Sequence, residues 1–155
     1  MTRRPPLAAL VYAALLASMG TTQLASLESF ERALGGYDVL GPATAAAAFA
    51  VPVAELAVAF GLTVAPLRRG AAVLGLGVAL FWSALAAQAF ARGLELDNCG
   101  CFGAYLAQRL RWWVLLEDAE FLLLAWWAGA RVGLPLPLPR LGRNPSRRPA
   151  HQTSQ

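Results

Sequence analysis

The 155-residue sequence contains no lysine; its thirteen basic residues are all arginine. It has one histidine, His151, and two cysteines, Cys99 and Cys101. Charged residues make up 14% of the chain, against about 25% in soluble domains. Each shortage excludes something. So little charge cannot cover a soluble domain with a polar surface. With its single histidine far from the cysteines, one chain cannot assemble a four-ligand soft metal site. The net charge of +4 invites a nucleic-acid reading. The arginines, however, sit at the ends of apolar blocks, where membrane proteins place them, and not along an exposed groove. No nucleic-acid partner is expected.

What is present is apolar. Hydrophobic residues make up 57% of the chain, against roughly 45–50% in soluble proteins, and they come in long blocks. A membrane helix needs about 20 largely apolar residues. Four candidates are predicted: Leu7 to about Ala25, about Ala43 to Ala65, Ala71 to about Phe90, and about Trp112 to Ala130. The expected fold class is all-α, an integral membrane four-helix bundle whose first partner is the lipid bilayer. The fourth candidate is the least clean. Its strictly apolar part, from Phe121 to Ala130, is too short to span alone, so a crossing must include Glu117, Asp118 and Glu120. Two arguments favour it. Three spans would leave Arg131, Arg140, Arg143, Arg147 and Arg148 outside, against the positive-inside rule. The pairs Trp112–Trp113 and Trp126–Trp127 are also about 14 residues, or roughly 21 Å of helix, apart, a spacing that suits two interfacial belts.

With four spans, Arg3, Arg4, Arg68, Arg69 and the tail arginines share one side, predicted to be the cytoplasm of a cell (inner) membrane protein. Arg32, Arg92, Arg109 and Arg111 share the other with Glu28, Glu31, Asp38, Glu95 and Asp97. Both termini are then inside, and the loops Ser26–Pro42 and Ala91–Arg111 face outward. A rival reading makes the first block a secretory signal cleaved after Ala17 or Ala25. Residues 1–131 form the expected membrane domain. Residues 132–155 carry Pro135, Pro137 and Pro139 and then basic and polar residues, which predicts a disordered cytoplasmic tail.

Three features carry chemistry. The first is Asn98-Cys99-Gly100-Cys101-Phe102-Gly103, in an outward loop where an oxidising compartment favours disulfides. Gly100 has no Cβ and tolerates the backbone angles of a ring closed across one residue, and strained disulfides are the labile or catalytic ones. The pair reads either as an exchanging dithiol or as a static staple. The second is Glu55, near the middle of the second span and three residues after Pro52, whose ring frees the carbonyl of Ala48. An intramembrane carboxylate costs about 2.5–3.5 kcal/mol on insertion scales. It reads as a proton relay or ligand-binding group, or as a buried hydrogen-bonding residue that holds helices together. The third is the acidic cluster on the fourth span. Glu117 and Glu120 share a face, with Asp118 about 100° from Glu117. Ion pairs with Arg109 and Arg111 are expected for Glu117, and interior positions for Asp118 and Glu120. Gly75 and Gly77 are expected to permit close helix packing.

At these residues the chain resembles the methylamine utilisation protein MauE family, within the wider DoxX-like membrane proteins. The resemblance rests on Cys99-Gly100-Cys101-Phe102-Gly103 preceded by Ala91-Arg92-Gly93. It extends to Pro52-Val53-Ala54-Glu55 as the family's Pro-x-x-Glu, to Leu115-Leu116-Glu117-Asp118 near the last helix, and more loosely to Phe30 and Tyr37. It covers roughly Leu7 to Ala130. Two departures stand out: Gln23 replaces a lysine frequent after the first helix, and Glu117-Asp118 replaces an Arg-Asp dipeptide. The resemblance implies a four-helix inner-membrane protein associated with thiol redox or with maturation of extracytoplasmic proteins. The family's named role is in processing methylamine dehydrogenase.

The expected function is therefore thiol–disulfide exchange between a periplasmic thioredoxin-like partner and a second acceptor. Cys99 and Cys101 would exchange, while Glu55 and Asp118 handle protons or hold the loop. No cofactor motif is present, and a quinone within the bundle is one acceptor such a position allows. Two other readings are a non-catalytic membrane assembly factor for an exported enzyme and a small transporter with Glu55 in its path.

Overall fold

The computed structural model describes residues 5–134. The expectations for the tail, including His151 and the arginines from Arg140 onward, lie outside the described residues. Among those residues the chain is all-α, with no strand. It contains α1 (Leu7–Ala25), α2 (Leu27–Gly36), a short 3-10 turn (Gly41–Ala43), α3 (Thr44–Thr63), α4 (Arg68–Ala91) and α5 (Trp112–Arg131). Three helical segments are long and apolar enough to cross a membrane: Leu7–Ala25, Gly41–Thr63 and Arg68–Ala91. The fourth expected crossing, α5, has the length, 20 residues, but its carboxylates take it out of that class.

The long helices pack in a ring: α1 on α3, α3 on α4, α4 on α5, and α5 back on α1. Their apolarity runs all round, so hydrophobic pattern alone cannot say which face turns inward. Small and polar residues decide it. The buried stripe of α3 is Ala48, Pro52, Glu55, Val58, Ala59 and Leu62, at helical spacing. Large apolar side chains point outward instead, among them Phe49, Phe60, Val73, Leu80, Leu116 and Leu123, as in a protein whose solvent is hydrocarbon. In such a solvent helix association rests on close packing rather than on expulsion of water. At Gly20 an added Cβ would lie 2.8 Å from the carbonyl oxygen of Pro52, so α1 and α3 nearly touch backbone to backbone. Gly75 plays the same part against Tyr12 and Val58, whereas Gly77 faces open space and is not a packing residue.

Pro52 does not end α3, which continues through it to Thr63. Tyr12 donates a hydrogen bond to the carbonyl of Gly75, 2.6 Å away, and its ring meets that of Phe121 edge-on at 5.0 Å. These two contacts join α1 to α4 and α5. Cleavage of the first segment would remove them. At the other end of α5, Arg69 donates to the carbonyl of Gly133 at 3.1 Å.

The segment Ser26–Pro42, expected as a loop, contains α2. Its signal was amphipathic spacing: Phe30 and Leu34, four apart, are both fully buried, while Glu28, Glu31 and Arg32 keep the other face polar. Helix α2 lies across the end of the ring, against α3 and α1, on the side where the cysteine loop also sits.

Candidate functional site

The loop between α4 and α5 is pinned at every turn. The amide of Cys99 bonds to the carbonyl of Gln108 at 2.8 Å, and that of Leu110 to the carbonyl of Leu96 at 2.9 Å, so the loop is closed at its neck. Asn98 makes the turn itself. Its Oδ1 accepts from the amide of Gly100 at 2.9 Å and its Nδ2 donates to the carbonyl of Gly103 at 2.8 Å. Gly100 and Gly103 both have positive φ, +89° and +58°, where side chains other than glycine's are strained. Gly103 also presses on the end of α1, where an added Cβ would collide with the Ser26 hydroxyl and the Thr22 carbonyl.

This frame holds the two thiols side by side. Their sulfurs are 3.4 Å apart with no bond between them, the reduced form of the pair. Cys99 is buried and Cys101 half-buried. The hydrogen bond with Cys101 holds the Cys99 thiol below the ordinary thiol value despite burial. The same bond, and then burial, push the Cys101 thiol up. One proton is thus shared between two sulfurs, and the first thiolate forms more easily than the second. Tyr37 donates to the carbonyl of Cys99 at 2.8 Å. Burial, and then the nearby thiols, raise its own ionisation, so it stays a neutral donor.

Beneath the loop lies a polar network inside the ring of helices. Gln23 Nε2 donates to the carbonyl of Cys101 at 2.9 Å and reaches Glu55 Oε1 at 3.5 Å. Trp82 Nε1 donates to the same Glu55 oxygen at 2.8 Å. Gln23 and Glu55 are fully buried. Glu55 Oε2 and Gln23 Oε1 are buried without a protein partner. Helices α1, α3 and α4 are therefore joined at one carboxylate, and that carboxylate is joined through one amide to the backbone of Cys101. Sequence reasoning named Cys99, Cys101 and Glu55 as site residues, Gln23 only as a departure from the resembled family, and Trp82 not at all. A glutamine at the end of a span reads as interfacial, and an indole inside one reads as apolar. The departure at Gln23 from the lysine frequent in the resembled family was the available signal.

The carboxylates of α5 divide differently from the expectation. Asp118 is buried, and its Oδ2 has no partner. Glu120, expected inside, is exposed. It shares the face of Glu117, three residues earlier, and that face turns outward. The expected ion pairs of Glu117 with Arg109 and Arg111 do not form. Glu117 accepts from Gln108 Nε2 at 3.0 Å, Arg109 pairs with Asp97 at 2.8 Å, and Arg111 lies over the ring of Trp113. No group of three or more metal-ligating side chains occurs among the described residues. A half-open cavity of about 220 Å³ adjoins the loop, lined by Leu15, Met19, Trp82, Cys101, Asp118 and Phe121 among others.

Comparison with known proteins bears on this arrangement. The family described as "Methylamine utilisation protein MauE" matches residues 5–131. A methylamine utilization protein MauE of Paracoccus denitrificans is 33% identical over 128 residues, covering 82% of this chain and 68% of that protein. A protein of the same name from Paracoccus versutus is 33% identical over 131 residues, with the same coverage of each. No solved structure matches.

Proposed function

The chain belongs to the methylamine utilisation protein MauE family, and on that premise we propose that it is a membrane thiol–disulfide protein serving the maturation of exported proteins. The relatives are named for methylamine utilisation, and maturation of a methylamine dehydrogenase-type enzyme is the form of that role this reading proposes. The observation that carries the reading is the pair of thiols 3.4 Å apart in a loop held rigid by glutamine, tyrosine and asparagine side chains. The frame keeps the two sulfurs close enough to bond and release without moving the backbone far. Exchange proceeds by attack of a thiolate on a disulfide sulfur through a mixed disulfide. When the pair is oxidised, a thiol of a thioredoxin-like partner attacks Cys101, the more accessible sulfur. Cys99, whose thiolate is the more stable of the two, leaves. The partner's second thiol then resolves the mixed disulfide, so the partner is oxidised and Cys99–Cys101 is reduced.

In this reading all four long helices cross the inner membrane, with the arginine-rich ends cytoplasmic and the cysteine loop extracytoplasmic. Helix α5 supports the fourth crossing in three ways. Its 20 residues make about 30 Å of helix. Leu116 and Leu123 point outward. Trp113 and Trp127 lie at its two ends, each under an arginine.

The test is a trap. In the reverse direction Cys101 attacks the oxidised partner and Cys99 resolves the mixed disulfide, so Cys99→Ser should accumulate a dithiothreitol-sensitive adduct on non-reducing gels, and Cys101→Ser should not. Maturation of exported disulfide proteins at wild-type level in both variants, with no adduct in either, would leave the assembly-factor reading in its place.

A further inference from the structure

The half-open cavity between α1, α4 and α5 has one reactive group on its wall, Cys101. Of the two thiols it is the one that the cavity reaches; Cys99, its sulfur 3.4 Å away, is buried and does not line it. Its walls are otherwise mostly apolar, with Leu15, Trp82, Phe121 and Leu124 contributing. Its polar points are acidic, and no arginine lines it. A phosphate-bearing acceptor would meet carboxylates there and no cation, which excludes nucleotide cofactors on charge. At about 220 Å³ it is smaller than the roughly 300–1,000 Å³ of pockets for drug-sized molecules. That is room for one substituted ring. Asp118 lines it with an oxygen that is buried and has no partner in the protein, a group set to hydrogen-bond a ligand.

Redox balance narrows the occupant further. Once a partner has reduced the pair, the site must be reoxidised to work again. Closing the disulfide breaks two S–H bonds, forms one S–S bond, and releases two electrons and two protons. An acceptor in this cavity must take all four, be uncharged, and be soluble in hydrocarbon. We propose that the cavity binds the ring of a lipid-soluble quinone, which oxidises the Cys99–Cys101 dithiol and leaves as the quinol. The two electrons pass to the ring and the two protons to its carbonyl oxygens, which become hydroxyls. Asp118 Oδ2, which has no protein partner, is placed to accept a hydrogen bond from the nearer hydroxyl as it forms. Trp82 and Phe121 offer aromatic surface to the ring. Partner and quinone take turns at the same sulfur, so the kinetics are ping-pong.

This inference rests on the thiol-exchange reading, and one experiment separates the two. The purified full chain in detergent is reduced, desalted under argon, and mixed with decylubiquinone. Thiol loss is followed by maleimide gel shift and quinone loss by ultraviolet absorbance. A parallel sample receives oxidised glutathione instead. The expected result is one quinone consumed per disulfide formed, with a rate that saturates in quinone. Leu15→Trp, which fills the cavity, should slow quinone oxidation at least tenfold and leave the glutathione reaction unchanged. An azidoquinone should label peptides of α5 in the wild type, and decylubiquinone should compete. That labelling keeps the test valid if Leu15→Trp does not fold. Exchange with glutathione but no reaction with quinone overturns the inference and spares the thiol reading. Quinone oxidation that neither saturates nor responds to Leu15→Trp, with no competed labelling, also overturns it. Thiols inert to both reagents overturn the two readings together.

Discussion

A single amide, Gln23 Nε2, stands 2.9 Å from the Cys101 carbonyl and 3.5 Å from Glu55 Oε1, and through it the loop senses the interior of the helix ring. Glu55 is therefore an acceptor first, which gives its variants different outcomes. Glu55→Gln keeps an oxygen for the Trp82 indole and should unfold and exchange near wild type. Glu55→Leu strands that buried N–H at a cost of about 1–3 kcal/mol, seen as a lower midpoint in thermal unfolding, and should slow exchange. Equal loss of exchange in both variants would make the proton, not the acceptor, its contribution. At the thiols the shared proton predicts a split titration. Thiolate absorbance of the reduced protein should rise in two steps, one below and one above the ordinary thiol value. Because thiolate is the reactive form, oxidation should quicken as pH rises through the lower step. Cys101→Ser should move the Cys99 step upward; a single unshifted step in wild type would count against the coupling. Cysteine spacing and the depth of Glu55 were readable in the sequence because each is rare in its setting. Gln23 was readable only as a departure from the resembled family and Trp82 not at all, because their importance comes from contacts 32 and 27 residues away in the chain.

Among the elements, α1 and α3 meet most intimately, and the meeting point is Gly20 on the Pro52 carbonyl. Backbone cannot yield as a side-chain tip can. Gly20→Ala should cost about 1–3 kcal/mol by overpacking, and it should slow exchange by spreading Gln23 from Glu55, one turn further along. Gly77→Ala, in open space, is the control and should change neither. An equal response at both glycines would show that the crossing is looser than the distance implies. The long helices were legible as apolar blocks within a few residues of their ends. Helix α2 was not, because its 10 residues are too short for the membrane length criterion and its polar face reads as loop. Its Phe30 and Leu34 pattern needed the ring of helices beneath it to acquire meaning. The faces of α5 were legible only in part. Asp118 was expected inside and is buried, but the outward turn of the Glu117 face depends on how α5 docks on α4 and α1.

For the whole molecule the arginines predict sidedness. After reduction, a membrane-impermeant maleimide added to intact spheroplasts should label Cys101 strongly and Cys99 weakly, in line with their exposure. Labelling only after lysis would invert the topology and remove the loop from the oxidising compartment. The carboxylates of α5 have a consequence for how such a topology is reached. If α5 crosses as proposed, Asp118 adds up to roughly 2.5–3.5 kcal/mol to the insertion of its segment, so α5 would enter the bilayer poorly on its own merits. It leaves the ribosome after α1, α3 and α4, and the groove between α1 and α4 is what covers Asp118 when it arrives. Biogenesis then has a built-in order. In the proposed four-span topology the helix that completes the site would be admitted by neighbours already assembled, and a nascent chain with a faulty α1–α3–α4 assembly would strand α5 outside the bilayer.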